Sequence, residues 1–303
     1  MTALDEFLAR GEGRVEIHAP FGSRTTYRVG GTAKAFVNVA TRSELDELSP
    51  VIRGTELDLV ALGNGSNLLV EDGERDVVVV HFDRSRATLN VEGDDAVVVE
   101  ASAGLDLPLM ARRLAHQGVV GFEWAVGVPG TVGGAVAMNA GGHGDDIAGS
   151  LVDATIWHDG VTRVWTIEQL ALGYRTSALD TRDVVVDARF ALSRGDATES
   201  EERVRDIVRW RREHQPGGQN AGSVFRNPEG DHAARLIEEA GCKGLRLGSA
   251  AVSDKHANFI QADDGGLAID VYSLINMVIA RVFEASGVEL ICENRFVGFG
   301  VSS

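Results

Sequence analysis

The run 121–144 constrains this chain more than any other stretch. Glycine recurs there at 121, 127, 130, 133, 134, 141, 142 and 144, and Glu123 is its only acidic or basic side chain apart from His143. A solvated linker would be polar, but this run interleaves its glycines with Trp124, Val126, Val128, Val132, Val136 and Met138. Glycines packed in an apolar setting bring bare backbone close to a flat or phosphorylated group and aim N–H groups at it. That points to a bound dinucleotide.

At 303 residues the chain is too long for one compact core and suggests two or three lobes. Its 29 Lys and Arg face 45 Asp and Glu, and the net charge of −16 argues against nucleic acid or an anionic membrane as partner. A small anionic ligand is still allowed, in a locally cationic pocket. Cys242 and Cys292 are the only cysteines, which argues against a disulfide framework and fits a reducing cytoplasm. Residues 1–10 have neither a basic start nor a long apolar stretch, so no signal peptide is expected. The longest apolar runs, such as 77–80, are strand-length, so no membrane span is expected either.

Short β-branched runs at 36–40, 57–62, 77–82, 96–101, 151–157, 161–165 and 184–192 read as strands. Residues 106–117 read as a helix, with Asp106 and Pro108 suited to its first turn and Gly118 to its end. The charged stretch 193–202 reads as a domain boundary. Helical patterns follow at 201–214, 231–240 and 266–285, the last with Val271, Leu274, Ile275, Val278 and Val282 on one face. The expected organisation is an N-terminal segment 1–28, a domain 29–195 in two lobes (about 29–100 and 101–195), and a C-terminal domain 200–303.

A second glycine loop, Gly63, Asn64, Gly65, Ser66 and Asn67, follows a predicted strand. Leu68 stands where a G-x-G-x-x-G fingerprint needs its third glycine, and no helix pattern follows, so a nicotinamide-binding Rossmann reading fails. Alone, the loop reads rather as a hairpin turn, whose Asn and Gly supply positive φ angles. Paired with the 121–144 run, its Asn64, Ser66 and Asn67, together with Thr131 and Asn139, would clamp a pyrophosphate from two sides. Elsewhere each candidate has an ordinary alternative. Ser223 reads as a turn residue, and Ala221 and Phe225 rule out a nucleophile elbow. Arg175 reads as a solvated cation and Glu293 as an edge carboxylate paired with Arg295. Lys255, His256 and Asn258 grip an anion or cover a surface. His143 with Asp145 and Asp146 lacks a second histidine at helical spacing, so no metal is expected.

Taken together, these segments resemble one family. They run from 26–32 and 63–69 through 127–135, 138–141, 174–177 and 222–228 to 244–249, 253–260 and Glu293. The pattern is similar to that of the UDP-N-acetylenolpyruvoylglucosamine reductases, the MurB flavoenzymes of bacterial peptidoglycan precursor synthesis, over almost the whole chain. The resemblance implies an α+β fold: a two-lobed FAD-binding domain of the PCMH, vanillyl-alcohol-oxidase-like type, followed by an α+β substrate domain. It implies noncovalent FAD held by Gly63, Asn64, Gly65, Ser66, Asn67, Gly127, Pro129, Gly130, Thr131, Gly133, Gly134, Asn139 and Gly141. NADPH is implied as co-substrate, and Tyr174, Arg226, Asn227, Lys255, His256 and Asn258 as substrate contacts.

In the implied reaction, hydride from reduced flavin adds to the terminal carbon of an enol ether bearing a carboxylate. Arg175 and a protonated Glu293 stabilise the resulting charge, and Ser223 delivers the proton to the adjacent carbon. The implied enzyme is cytoplasmic, with monomer favoured. Arg226 stands where many relatives carry lysine, and Cys292 and Asn294 flank Glu293 where proline and an apolar residue are usual. The short interval between Arg175 and Glu201 implies the subtype lacking a tyrosine-bearing substrate loop. Two rival readings stand beside it. An oxygen-using flavin oxidase would often anchor its flavin through a histidine or cysteine, and the N-terminal flavin lobe offers only His18 and His81. A catalytically silent nucleotide sensor would not need Ser223, Arg175 and Glu293 together.

Overall fold

The computed structural model describes residues 14–54 and 57–300, with Asp5 besides. The start expected for residues 1–10 lies, Asp5 apart, outside these residues. The chain forms two compact units that interrupt each other in sequence. Residues 1–17, 35–64 and 76–211 make the first, and 18–34, 65–75 and 212–303 the second. This differs from a linear division at 29–195 and 200–303, and the reason is burial. Tyr27, Val29 and Leu69 lie in one apolar core with Val224, Phe225, Leu274 and Val278. Strand Leu68–Val70 pairs in parallel with Arg295–Val297.

The first unit holds the larger sheet. Its strand order is Val161–Thr166, Leu151–His158, Asp183–Arg194, Ala96–Ser102 and Leu89–Glu92, all antiparallel, with Val119–Val120 also paired to Asp183–Arg194. Period-two alternation sends Val97, Val99 and Ala101 into the core while Val98 and Glu100 face out. Helix Leu107–His116 buries Leu107, Met110, Ala111 and Leu114 in the same cluster, the stripe that its 3.6-residue period dictates. Most of a second sheet also belongs here, in the order Val15–Pro20, Thr32–Val39, Glu74–Phe82, Asp58–Leu62, with the last pair parallel. The buried Trp157 indole donates to Asp46 at 2.8 Å beneath it.

In the second unit, helix Ala268–Ser286 buries Val271, Leu274, Ile275, Val278 and Val282, the face expected from sequence. Gly287, at φ +71°, ends it in the left-handed conformation that glycine adopts without strain. Helix Ala233–Glu239 and an antiparallel sheet of Arg246–Leu247, Ala250–Val252 and Ile260–Ala262 complete the unit. The stretch 193–202 is not a linker. Helix Ala197–His214 starts inside it, with the Asp196 carboxylate accepting from the N–H groups of Thr198 and Glu199. No helix among the described residues is long and apolar enough to cross a membrane.

Candidate functional site

In the first unit, the glycine-rich run turns at the N-terminus of the short helix Val132–Ala137. Thr131 is the N-cap, and its hydroxyl accepts from Gly134 N–H at 3.5 Å. The backbone is docked on residues 103–107. Gly133 N–H donates to Ala103 at 2.9 Å, Val132 N–H to Leu105 at 2.9 Å, and Leu107 N–H to Gly130 at 2.9 Å. A Cβ on Gly133 would stand 2.8 Å from that of Ala103, so only glycine allows this approach. Gly63 comes in on the other side, where a Cβ would meet the Thr131 hydroxyl at 2.3 Å. The two loops singled out in sequence therefore converge on Thr131.

Asn64 donates to Asp106 at 2.8 Å, while its Oδ1 is buried with no hydrogen-bond partner among the described residues. Buried polar atoms are nearly always paired. An orphan acceptor beside glycine-cleared backbone fits a bound nucleotide cofactor.

Asn139, at φ +39°, is spent on the protein. Its amide donates to Asp146 at 3.1 Å and Gly173 at 2.9 Å and accepts from Ala148 at 3.0 Å. Gly141 and Arg175 meet: the guanidinium donates to Gly141 O at 2.7 Å and Asn139 O at 3.4 Å, and lies 5.2 Å from the centre of the Tyr174 ring. Arg175 is itself at φ +58°, a conformation that costs about 1–3 kcal/mol for a non-glycine residue. Such strain persists only where surrounding structure holds it, and here the end of the glycine-rich run does so. Gly127 packs against His143, a ring that stands edge-on to Trp210 at 5.1 Å, and Asp146 is bonded to Asn139.

In the second unit, Gly65 at φ +61° brings the other half of its loop against Thr25, where a Cβ would stand 2.6 Å from the Thr25 Cα. Asn67 donates to the Glu293 carbonyl at 2.9 Å, and its own carbonyl accepts from Arg295 N–H at 2.9 Å. Glu293 N–H donates to Val224 O at 2.7 Å, and Phe225 bridges Cys292. Ser223 and Glu293 are therefore carried on adjacent, hydrogen-bonded backbone, both half-buried. Asn258, buried, locks the serine segment. Its carbonyl accepts from Val224 N–H, and its amide exchanges two bonds with Phe225 at 2.9 and 2.8 Å. Burial pushes the Cys292 thiol up to about 12, which disfavours the thiolate.

Of the remaining expected substrate contacts, Asn227 caps helix Ala233–Glu239 by accepting from Ala233 N–H at 3.0 Å, and Lys255 donates to Arg212 O at 2.7 Å. His256 packs edge-on to Phe259 at 4.9 Å. Burial holds the His256 imidazole below its ordinary value of 6.5. The unfolded chain then takes up the proton more readily, so stability present above pH 6.5 is lost as pH falls below it. His256→Gln is expected to show a shallower fall in Tm on acidification from about pH 6.5 to 5 than the native chain. An equally steep fall would assign the acid sensitivity to other groups.

The signal missed in sequence is Asp106. It reads as a helix cap, yet its side chain makes no capping bond and instead holds Asn64. A polar residue inside a glycine loop always needs such a partner, but nothing local names it.

Comparison with known proteins identifies the family. The family model described as "FAD binding domain" covers residues 33–163, and that of the "UDP-N-acetylenolpyruvoylglucosamine reductase, C-terminal domain" covers 214–297. The reductase of that name from Chloroflexus aurantiacus is 38% identical over 92% of this chain and 96% of its own length. The one from Synechococcus sp. is 43% identical over 89% and 90%. The crystal structure of the Thermus caldophilus reductase superposes with a TM-score of 0.81 at 36% identity, covering 94% of this chain and 99% of that one. Physcomitrella patens BBE-like 1, at 13% identity and a TM-score of 0.56, shares the fold alone. With identity of this order along nearly the whole length, and two family models matched along the chain, the chain belongs to the UDP-N-acetylenolpyruvoylglucosamine reductase (MurB) family.

Proposed function

We propose that this chain reduces the enolpyruvyl ether of UDP-N-acetylglucosamine to UDP-N-acetylmuramate, with FAD as bound cofactor and NADPH as co-substrate, in cytoplasmic peptidoglycan precursor synthesis. The observation that carries the reading is the 2.7 Å bond from Glu293 N–H to Val224 O, which sets the two candidate proton-handling residues side by side on rigid backbone.

FAD, when bound, supplies two-electron transfer between NADPH and the substrate double bond. Its pyrophosphate would be held by the backbone N–H groups around Gly63, Gly130, Thr131, Gly133 and Gly134, and the orphan Oδ1 of Asn64 would accept from a hydroxyl or N–H of the cofactor. The rest falls to side chains. Arg175, held at Gly141, offers a cation to the substrate carboxylate as charge spreads into it. Glu293 acts on the same charge as a hydrogen-bond donor. Ser223 gives its proton to the carbon left basic by reduction. A hydroxyl is a weak acid, and it serves here because the acceptor is a strong base and the geometry is fixed.

Two measurements on the purified protein test the reading. Acid denaturation should release all the yellow chromophore, since two glycine loops can enclose FAD and neither glycine loop carries a cysteine to anchor it. NADPH should bleach the native protein under anaerobic conditions, and the enolpyruvyl substrate should restore its colour. Flavin left in the pellet, or colour restored by oxygen but not by the substrate, would favour the oxidase reading instead.

A further inference from the structure

We infer that Tyr27 and Asn294 are positioning residues that act through Asn67 to hold Glu293 for the proton-handling half of the reaction. The inference rests on the role given to Glu293 above. Asn294 is 5% exposed and Tyr27 fully buried, so each polar atom there must find a partner or destabilise the fold. They find one another in sequence. The Tyr27 hydroxyl donates to Asn294 Oδ1 at 3.3 Å, and Asn294 Nδ2 donates to Asn67 Oδ1 at 3.0 Å. Asn67 Nδ2 then donates to the Glu293 carbonyl at 2.9 Å. Every donor points the same way along this chain, so each bond polarises the next.

The chain ends on the backbone of the carboxylate-bearing residue. Glu293 is gripped at both peptide groups, by Asn67 at its carbonyl and by Val224 at its N–H. Its side chain therefore departs from a fixed Cα. Asn67, expected among the cofactor contacts, donates its amide to Glu293. The loop bearing Gly65, Ser66 and Asn67 is thus mechanically joined to the acid through Asn67, and the polar residue at 294 orients the amide that makes the joint. An apolar side chain at 294 would leave the Tyr27 hydroxyl and Asn67 Oδ1 without these bonds.

A misplacement of about 1 Å at a reacting group costs up to about 100-fold, and loss of this grip allows a fraction of that. The experiment compares Asn294→Leu and Tyr27→Phe with the native holoenzyme at matched FAD content. It times flavin reduction by NADPH and reoxidation by the enolpyruvyl substrate separately, across pH. Asn294→Leu is expected to slow reoxidation about 10-fold and to alter its pH dependence while sparing reduction. Tyr27→Phe, which keeps the ring packed, should act in the same direction but less, and the two effects should not add in the double variant. Equal slowing of both half-reactions, or a lower Tm with an unchanged pH profile, would reduce the network to a structural one and overturn the inference. If Asn294→Leu fails to fold, Tyr27→Phe alone decides by the same criteria. Glu293→Ala separates the two levels. If it leaves reoxidation intact, the role of Glu293 falls; if it slows reoxidation while Asn294→Leu and Tyr27→Phe do not, only the positioning inference falls.

Discussion

Ser223→Ala is expected to leave reduction of the flavin by NADPH nearly unchanged and to slow reoxidation by the enolpyruvyl substrate about 10²–10³-fold, or about 3–4 kcal/mol of barrier. That is the scale of removing one donor aimed at charge that develops only in the transition state. The two half-reactions separate because the proton is needed only in the second. The substitution is mild for the fold, since the segment is held by backbone and by Asn258 rather than by the serine side chain. Val224 and Phe225 keep their bonds to Asn258, and Val224 O keeps Glu293 N–H. Tm should therefore stay close to native, and rapid-mixing absorbance of the flavin gives both rates. Equal damage to the two half-reactions would make Ser223 a turn residue, the ordinary role of a Gly-Ser pair.

What could be read from the sequence was whatever depends on neighbours in the chain. Helix Leu107–His116 has its apolar stripe at 107, 110, 111 and 114 and a glycine just past its end, and all of these lie where the pattern put them. The strands were equally legible because burial on one face forces alternation, as in Ala96–Ser102. The convergence of the two glycine loops on Thr131 was legible only as two separate glycine clusters; the meeting point is a tertiary fact.

Other features depend on partners far away in the chain. Nothing near Tyr27 says that it is buried with Val224 and Leu274, so the interleaving of the two units was invisible. Ser200 and Glu201 look like linker residues by composition. Ser200, however, is buried and donates to Glu123 Oε1 at 2.6 Å, a carboxylate that also accepts from Gly121 N–H at 3.0 Å. The only carboxylate of the glycine-rich run thereby anchors helix Ala197–His214. Likewise Asn139, Asn227 and Asn258, each expected to meet a ligand, hold backbone in place. An asparagine amide carries both donor and acceptor, so it matches a peptide group as well as a ligand, and sequence alone does not distinguish the two.

Glu293 yields the other large effect, and the order of two substitutions reveals its role. Its backbone is fixed between Asn67 and Val224, so the reach of the side chain alone sets where its carboxyl group stands. Glu293→Gln preserves that reach and a hydrogen-bond donor but can never be ionised. Glu293→Asp preserves the acid but falls short by one methylene, in a site where small displacements cost heavily. If Glu293 works by donating a hydrogen bond to the charge that grows as the substrate is reduced, the Gln variant should retain more of the substrate half-reaction than the Asp variant. Both should lose about ten-fold or more relative to native, with reduction by NADPH spared. The same rapid-mixing traces, taken at matched flavin content, supply the comparison. Should Asp outperform Gln, an ionised carboxylate is what the site requires. Glu293 would then act by holding a cation or the Ser223 hydroxyl in place, and stabilisation of the growing charge would fall to Arg175.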